Sequence, residues 1–398
     1  MANVYPNIII HGFFGWGNGD FLNKISPYFG GVGAKGMDRY LTSMGYESYA
    51  PAVGPWSSAW DRSCELWAII NGGTVDYGKA HAEKYGHARF GRTYPGIIKD
   101  WGKPGPHEKI NIIGHSFGGP TVMVFSDLLD RGFEEERAST PANELSPLFA
   151  GGHANLLHTV TTLSGTNNGT TLASAGHDLH ASPLVNYLLF GVISTTFGSS
   201  RVMNAWDFLC DQWGITVDAK ANDNFHFVKP LAKKEAIKRI NANQFDNIME
   251  EMRVETACEM NDYLAISDKI YYFARRACRS HKIGSTPFQA MDLKSFPIAH
   301  ISQLLTGWYT SPTLKKLGMT NDWYASDGPV NTVCTAAPWN KPQEDWTEET
   351  KVVPGKWYNM PVEYKDHFSW MGFLEDKETY KKYFLDMVKG FAELPAIK

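Results

Sequence analysis

The feature that most constrains the fold is the pentapeptide Gly114-His115-Ser116-Phe117-Gly118. It follows an apolar run, Lys109 to Ile113, that predicts a buried strand, and from Gly118 onward apolar residues recur at helical spacing. Small residues two places before and after the serine let a strand and a helix pass closely, and the sharp turn exposes the hydroxyl. No Lys-Ser/Thr follows, as a phosphate-binding glycine loop would require. The pattern therefore predicts Ser116 as a nucleophile.

Three further apolar runs read as buried strands: Val4 to Ile10, Leu156 to Leu163 and Ile270 to Ala274. Strands that alternate with helices predict the α/β class, with a mainly parallel sheet and helices on both faces. We expect the 398 residues to form one domain with two insertions. The insertions are predicted at about residues 55–102, which are poor in aliphatic side chains, and at about residues 173–250.

Composition and charge exclude several classes of protein. Thirty-eight basic against 42 acidic residues give a net charge of −4, so there is no basic field for nucleic acid or anionic membranes. The longest apolar stretch, Pro183 to Ile193, is too short to span a bilayer. Five widely spaced cysteines do not indicate a disulfide framework. The first residues lack the pattern of a signal peptide, and a monomer is the simplest expectation.

Acyl transfer by a serine needs two backbone N–H donors for the oxyanion. One is predicted at Phe117, the residue after the nucleophile. The other is predicted at Phe13, in the loop His11-Gly12-Phe13 that ends the first strand. We expect His11 to brace this loop by hydrogen bonds rather than to act as a base.

The acid and the base should follow the serine in the order Ser, Asp/Glu, His. Asp327, at a turn, and His367, after a short extended run, fit that order. Asp322 and Asp366 compete for the role of the acid, and His300 competes for that of the base. No organic cofactor is predicted for such a mechanism.

Several longer stretches resemble the zinc-containing true lipases, the thermoalkaliphilic bacillary triacylglycerol lipases and their staphylococcal relatives. The similarity is densest from Pro55 to Pro95. The stretches are His11 to Gly17, Ala52 to Pro55, Trp60 to Glu65, Gly72 to His81, His87 to Gly96, Leu145 to Phe149, Gly169 to Thr171, Asp211 to Gly214 and Asp327 to Thr332.

This resemblance implies an α/β-hydrolase fold, secretion, and hydrolysis of water-insoluble acylglycerol esters. It places the triad on Ser116, Asp327 and His367, with Phe13 and Phe117 as oxyanion donors. It also implies that the first insertion holds a structural zinc ion, whose ligands fall on Asp61, His81, His87 and Asp211. Two imidazoles and two carboxylates make a closed tetrahedral shell, which suits a structural ion.

The chain departs from the resembling lipases at four positions. Gly114 stands where the family usually has Ala, and Phe117 stands where it usually has Gln. The positions that correspond to the family's calcium ligands are Ser369 and Leu374, so we expect no calcium site unless Glu375 or Asp376 substitutes.

A cover over the active site is predicted at about residues 181–197, in the second insertion. This segment is apolar nearly all round, so it is a buried core helix or a mobile lid. The resemblance favours a lid, with Leu184, Leu188 and Phe190 near Ser116 when it is closed. Two alternatives to a lipase stay open: an esterase or polyester hydrolase with the same mechanism, and a zinc-dependent hydrolase.

Overall fold

The computed structural model describes residues 3–31, 35–180, 209–214 and 246–397. Its centre is a sheet of seven parallel strands, in the order β2-β1-β5-β6-β7-β11-β10. These strands are β1 Asn7–Ile10, β2 Ser48–Tyr49, β5 Ile110–His115, β6 Leu157–Leu163, β7 Tyr271–Arg275, β10 Gln343–Asp345 and β11 Trp357–Asn359. Two antiparallel hairpins lie outside the sheet, β3 Gly73–Asp76 with β4 Phe90–Tyr94, and β8 Ser280–Lys282 with β9 Gln289–Met291.

Helices follow most of the sheet strands along the chain. The described helices are α1 Phe21–Ile25, α2 Met37–Ser43, α3 Ala59–Asn71, α4 Lys79–Tyr85, α5 Gly118–Arg131, α6 Glu134–Ser139, α7 Pro147–Ala150, α8 Thr171–Asp178, α9 Ile248–Glu251, α10 Val254–Tyr263, α11 Pro297–Thr306, α12 Pro312–Lys316 and α13 Lys377–Glu393. The alternation of parallel strands and helices confirms the predicted α/β class.

The two faces of the sheet are covered by different layers because side chains alternate along each strand. In β1, Ile8 and Ile10 belong to the core that includes residues of α3 and α5. Ile9, between them, points to the opposite face and belongs to the core that includes residues of α2 and α13. The four buried strands predicted from the sequence are β1, β5, β6 and β7, all confirmed.

Helix α3, within the first predicted insertion, belongs to the main core, where Leu66 and Ile70 are fully buried. The β3–β4 hairpin and α4 follow α3 in this insertion. The predicted lid, with Leu184, Leu188 and Phe190, lies outside the described residues. No helix in the described ranges is long and apolar enough to cross a membrane.

Candidate active site

Ser116 lies on a strained turn between β5 and α5. Its backbone φ is +57°, a left-handed conformation that costs a non-glycine residue about 1–3 kcal/mol. A Cβ on Gly114 would lie 2.1 Å from the Gly118 carbonyl oxygen, and one on Gly118 would lie 2.6 Å from the Ile10 carbonyl oxygen. In this chain, small residues at both positions therefore let the strand and the helix pass closely at the turn, as the sequence predicted.

The structure joins His367 to Asp327. The Nδ1–H group of His367 donates to Asp327 Oδ2 over 2.8 Å, and this carboxylate is fully buried. Asp327 is held in a tight turn, in which its Oδ1 accepts from the Val330 amide at 3.0 Å. The bond between the two side chains fixes the imidazole orientation and leaves Nε2 for a serine hydroxyl.

The residues that compete for the roles of acid and base lie in other structural elements. Asp322 is exposed in a 3₁₀ turn, Asn321–Tyr324. Asp366 caps the 3₁₀ turn His367–Met371 by accepting from the Phe368 and Ser369 amides. His300 lies on α11.

The two predicted oxyanion donors lie in the loops that meet at Ser116. Neither the Phe13 nor the Phe117 amide donates a hydrogen bond within the described ranges. The first loop lies directly against the nucleophile, because a Cβ on Gly12 would be 2.5 Å from the Ser116 Cβ. Both amides are thus available to an oxyanion next to Ser116.

His11 braces the first loop, as expected. Its Nε2 accepts from the Val53 amide at 3.1 Å, and its Nδ1–H donates to the Gly12 carbonyl at 2.9 Å. Burial, and then the nearby Arg62 charge, lower the pKa of His11 to about 3. This histidine therefore stays neutral at physiological pH and is a poor acceptor for a second proton.

Arg62, which sequence reasoning missed, is fully buried under the same loop. Its guanidinium donates to the His11 carbonyl and lies 5.3 Å from the centre of the Phe117 ring. One cation thus contacts both loops that carry the oxyanion donors.

A hydrogen-bond chain that sequence reasoning also missed connects the oxyanion loop to the histidine loop. The Tyr28 hydroxyl accepts from the Gly12 amide at 3.1 Å and donates to His115 Nδ1 at 2.8 Å. His115 Nε2–H in turn donates to the His367 carbonyl at 3.1 Å. Burial and then the His367 ring hold the pKa of His115 well below its usual range. His115 stands inside the predicted pentapeptide, but no sequence signal pointed to Tyr28.

A second site combines two histidines and two aspartates, Asp61, His81, His87 and Asp246, hereafter the metal cluster. His81 Nε2 lies 3.1 Å from Asp246 Oδ1 and 3.4 Å from Asp61 Oδ1. His87 Nε2 lies 3.3 Å from Asp246 Oδ2 and 3.9 Å from Asp61 Oδ1. Ligand atoms around a tetrahedral zinc ion lie about 3.3–3.6 Å apart. The four spacings, from 3.1 to 3.9 Å, bracket that range, so small side-chain shifts would bring these atoms to the spacing of a zinc shell.

The unsatisfied atoms of the metal cluster also fit a cation. Asp61 Oδ1, both Asp246 oxygens and the Nε2 atoms of both histidines have no hydrogen-bond partner among the described residues. Buried polar atoms without partners are costly, and together these face one another. His87 donates its Nδ1–H to the Ala88 carbonyl at 2.9 Å, which leaves Nε2 deprotonated for a metal. Burial opposes a charged imidazole, yet the Asp246 carboxylate raises the pKa of His81 to about 9.

Asp211, expected as the fourth ligand, is not in the metal cluster. Its Oδ2 accepts from Arg92 Nε at 2.5 Å, so its charge is already paired. The next residue, Gln212, reaches the cluster instead and donates to Asp61 Oδ2 at 2.8 Å. The expectation was therefore wrong by residue although the segment does lie beside the cluster. Asp246 carries no local pattern that would have identified it, since only the fold brings it to α3.

The parallel sheet and the serine turn at the end of β5 define an α/β-hydrolase with a candidate Ser-His-Asp triad. A family model described as "Lipase-like, C-terminal domain" matches residues 3–393, and the chain belongs to that family.

Individual proteins with similar sequences or structures include bacterial lipases. The structure of EstA from Clostridium botulinum has 33% sequence identity and a TM-score of 0.82, over 99% of this chain and 88% of that one. Lipase 1 from Pelosinus fermentans has 31% identity and a TM-score of 0.80, over 99% of this chain and all of that one. Lipase 1 of Staphylococcus aureus (strain NCTC 8325 / PS 47) is 32% identical over 377 residues, 93% of this chain. The chain spans about half the length of that staphylococcal relative, 51%.

Proposed function

We propose that this chain is a serine carboxylic-ester hydrolase of the triacylglycerol lipase type. The observation that carries the proposal is the hydrogen bond from His367 to the buried Asp327, in a loop tied through His115 to the Ser116 turn. Ser116 attacks the ester carbonyl while His367 takes its proton. His367 then returns the proton to the leaving alcohol, and water releases the acyl group by the same steps.

The oxyanion that forms in each step is stabilised by the Phe13 and Phe117 amides. A donor of this kind contributes about 10²–10³ in kcat. Arg62 and the Tyr28–His115 pair hold the two loops in place, so the donors do not need to reorganise when charge develops.

The surface of α11 supports a water-insoluble substrate. Its apolar Ile298, Ile301 and Leu304 are 51%, 68% and 65% exposed, whereas its polar Ser302, Gln303 and Thr306 are buried. Exposed apolar patches of this kind are typical of surfaces that contact lipid or another apolar phase.

This helix lies beside both loops of the predicted triad. Ala299 packs against Gly328, next to Asp327, and the Phe296 amide donates to Asp366, next to His367, at 2.9 Å. The exposed apolar face therefore belongs to a helix that contacts both of these loops, and an ester-rich phase seated on that face would lie against the helix that packs beside the proposed site.

The metal cluster supports a structural zinc ion rather than a catalytic one. Asp61, His81, His87 and Asp246 supply four protein ligands, which closes a tetrahedral shell, whereas a hydrolytic zinc site keeps one position open for water. When bound, the ion would neutralise the carboxylates and tie the two insertions together. Secretion stays a prediction of the resemblance.

The test of the proposed mechanism is Ser116→Ala, assayed with p-nitrophenyl butyrate. We expect loss of nearly all turnover with the fold retained, and undiminished turnover would contradict the nucleophile. The test of the substrate class is an ester chain-length series measured below and above each solubility limit. A rise in rate at the limit, diminished in Ile301→Ser, supports a lipase, and saturation below the limit would instead indicate an esterase of soluble substrates.

A further inference from the structure

Arg279 is a cation, with its side chain only 11% exposed, that lies between three carboxylates from separate segments. Its Nη1 is 3.5 Å from Asp366 Oδ2 and 3.8 Å from Glu375 Oε1, and its Nε is 3.9 Å from Asp292 Oδ1. The guanidinium carbon also lies 5.5 Å from the centre of the Tyr364 ring. We call Arg279 with Asp292, Asp366 and Glu375 the arginine cluster.

The carboxylates of this cluster repel one another unless a cation stands between them. Asp366 is fully buried, Glu375 is 18% exposed and Asp292 is 33% exposed. Like charges that are partly removed from water interact strongly because the local dielectric is low. Without the guanidinium, the Asp366 and Glu375 carboxylates would repel each other and move apart.

Asp366 transmits this constraint to the predicted base. Its Oδ1 accepts from the Phe368 and Ser369 amides at 2.9 and 3.0 Å, so it caps the 3₁₀ turn that begins at His367. Its Oδ2 accepts from the Phe296 amide at 2.9 Å. A displaced Asp366 carboxylate would release the first turn of the loop that presents the His367 ring.

The backbone of Arg279 meets the segment that carries the acid. The Arg279 amide donates to the Ser326 carbonyl at 3.1 Å, and Ser326 precedes Asp327. One residue thus holds the acid segment through its main chain and the base segment through its side chain. Arg279 therefore contacts the residue that precedes Asp327 and the residue that precedes His367.

We propose that Arg279 is a positioning residue for the reaction, an internal cation that holds the His367 loop against the Asp327 loop. This proposal rests on the proposed function, because it assigns His367 as the base. The proposal also gives Glu375 a role, because its carboxylate faces the guanidinium. The two positions that correspond to calcium ligands in the similar lipases are placed differently: Leu374 is exposed, and the Ser369 Oγ lies 3.3 Å from Asp366 Oδ1.

The test compares Arg279→Met with Arg276→Met as a matched control. Arg276 pairs with Asp345 and donates to the Met360 carbonyl, and neither partner belongs to the turn His367–Met371. With p-nitrophenyl butyrate we expect kcat of Arg279→Met to fall about tenfold or more with KM nearly unchanged, since misplacement affects the transition state. Arg279→Lys should lie between the two, because lysine keeps the charge but not the fork of donors.

Two further readouts separate positioning from general instability. In Arg279→Met the carboxylates of the cluster face one another, so millimolar Ca²⁺, a hard cation that prefers oxygen ligands, should restore part of kcat there and not in Arg276→Met. Hydrogen exchange in the peptide 366–376 should accelerate only in Arg279→Met, whether or not the protein hydrolyses esters. If Arg279→Met does not fold, Glu375→Gln takes its place, with a smaller fall in kcat expected.

The outcomes distinguish the two proposals. Ester turnover by the unsubstituted protein that is lost in Ser116→Ala leaves the proposed function intact. A folded Arg279→Met with unchanged kcat and unchanged exchange at 366–376 would then overturn the role of Arg279 alone. Equal losses in Arg279→Met and Arg276→Met would do the same.

Discussion

The metal cluster and the arginine cluster differ in the cation that compensates their buried carboxylates. Both gather carboxylates from distant segments into places that water reaches poorly. In the arginine cluster the chain provides the cation itself, as Arg279. In the metal cluster no lysine or arginine of the described ranges pairs with Asp61 or Asp246, and the atoms that face one another have no hydrogen-bond partner there. We therefore expect the metal cluster to take up an external ion and the arginine cluster to need none.

We expect the largest difference in kcat between substitutions of Asp327 and Asp366, the two aspartates next to His367. Asp327→Asn should lower kcat about 10⁴-fold, because an amide would stabilise the wrong imidazole tautomer. Asp366→Asn removes a charge from the arginine cluster but keeps a capping oxygen, so we expect only a loss of about tenfold. Steady-state rates with a soluble ester measure both. Equal losses would mean that the two carboxylates do not act separately, one on the imidazole and the other on the turn that presents it.

The next largest effect is expected from metal removal, to which only the metal cluster should respond. A chelator that strips the metal cluster should lower the unfolding temperature by about 10 °C or more, since ion binding is coupled to folding. Activity measured well below that temperature should persist. Because Arg279 supplies the cation of the arginine cluster, we expect chelation to have no additional effect on the His367 loop. Loss of activity in step with the metal, at an unchanged unfolding temperature, would favour the zinc-dependent hydrolase instead.

The ligand set of the metal cluster can be tested with a pair of near-isosteric variants. Asp246→Asn should weaken metal binding at least about tenfold, because it replaces a charged ligand with a neutral one. Asp211→Asn should leave binding unchanged, since that carboxylate pairs with Arg92. Metal content per chain, measured by mass spectrometry after dialysis, separates them. The reverse result would restore Asp211 as the ligand.

How far the sequence leads can be seen from particular residues. The strained turn at Ser116 could be predicted because strand–turn–helix periodicity is a local signal, and the pairing of Asp327 with His367 could be predicted from their order along the chain. Asp246, Tyr28 and Arg279 could not, because each has a partner that is distant in the chain and only the fold brings the segments together. His81 and His87 lie 165 and 159 positions before Asp246, His115 lies 87 positions after Tyr28, and Asp366 and Glu375 lie 87 and 96 positions after Arg279. Strands β10 and β11 were missed because three residues each, with Gln343, Glu344 and Asp345 in β10, give no apolar pattern.

The smallest expected effect concerns buried carboxylates near the metal cluster. Burial raises the pKa of Glu65 from 4.5 to about 8, even though the Gly54 amide donates to it. The folded state therefore holds a proton that the unfolded state releases, and stability falls as pH rises from about 4.5 to about 8.

The substitution Glu65→Gln should remove this loss of stability with rising pH. Its unfolding temperature relative to the unsubstituted protein should rise by about 2–5 °C between pH 5 and pH 8. Glu378→Gln, on an exposed glutamate paired with Lys381, is the control and should show no such trend. A flat difference for Glu65→Gln would mean that Glu65 is ionised throughout this range, with a cation that compensates it.

The central claim is that Ser116 is the nucleophile of an ester hydrolase, and covalent labelling tests it most directly. The protein is treated with a p-nitrophenyl alkylphosphonate, and the adduct is located by peptide mass spectrometry. We expect one adduct per chain, on Ser116, formed at a rate that falls strongly in Asp327→Asn and persists after chelation at low temperature. Ester turnover without an adduct, or an adduct on another residue, would contradict the claim.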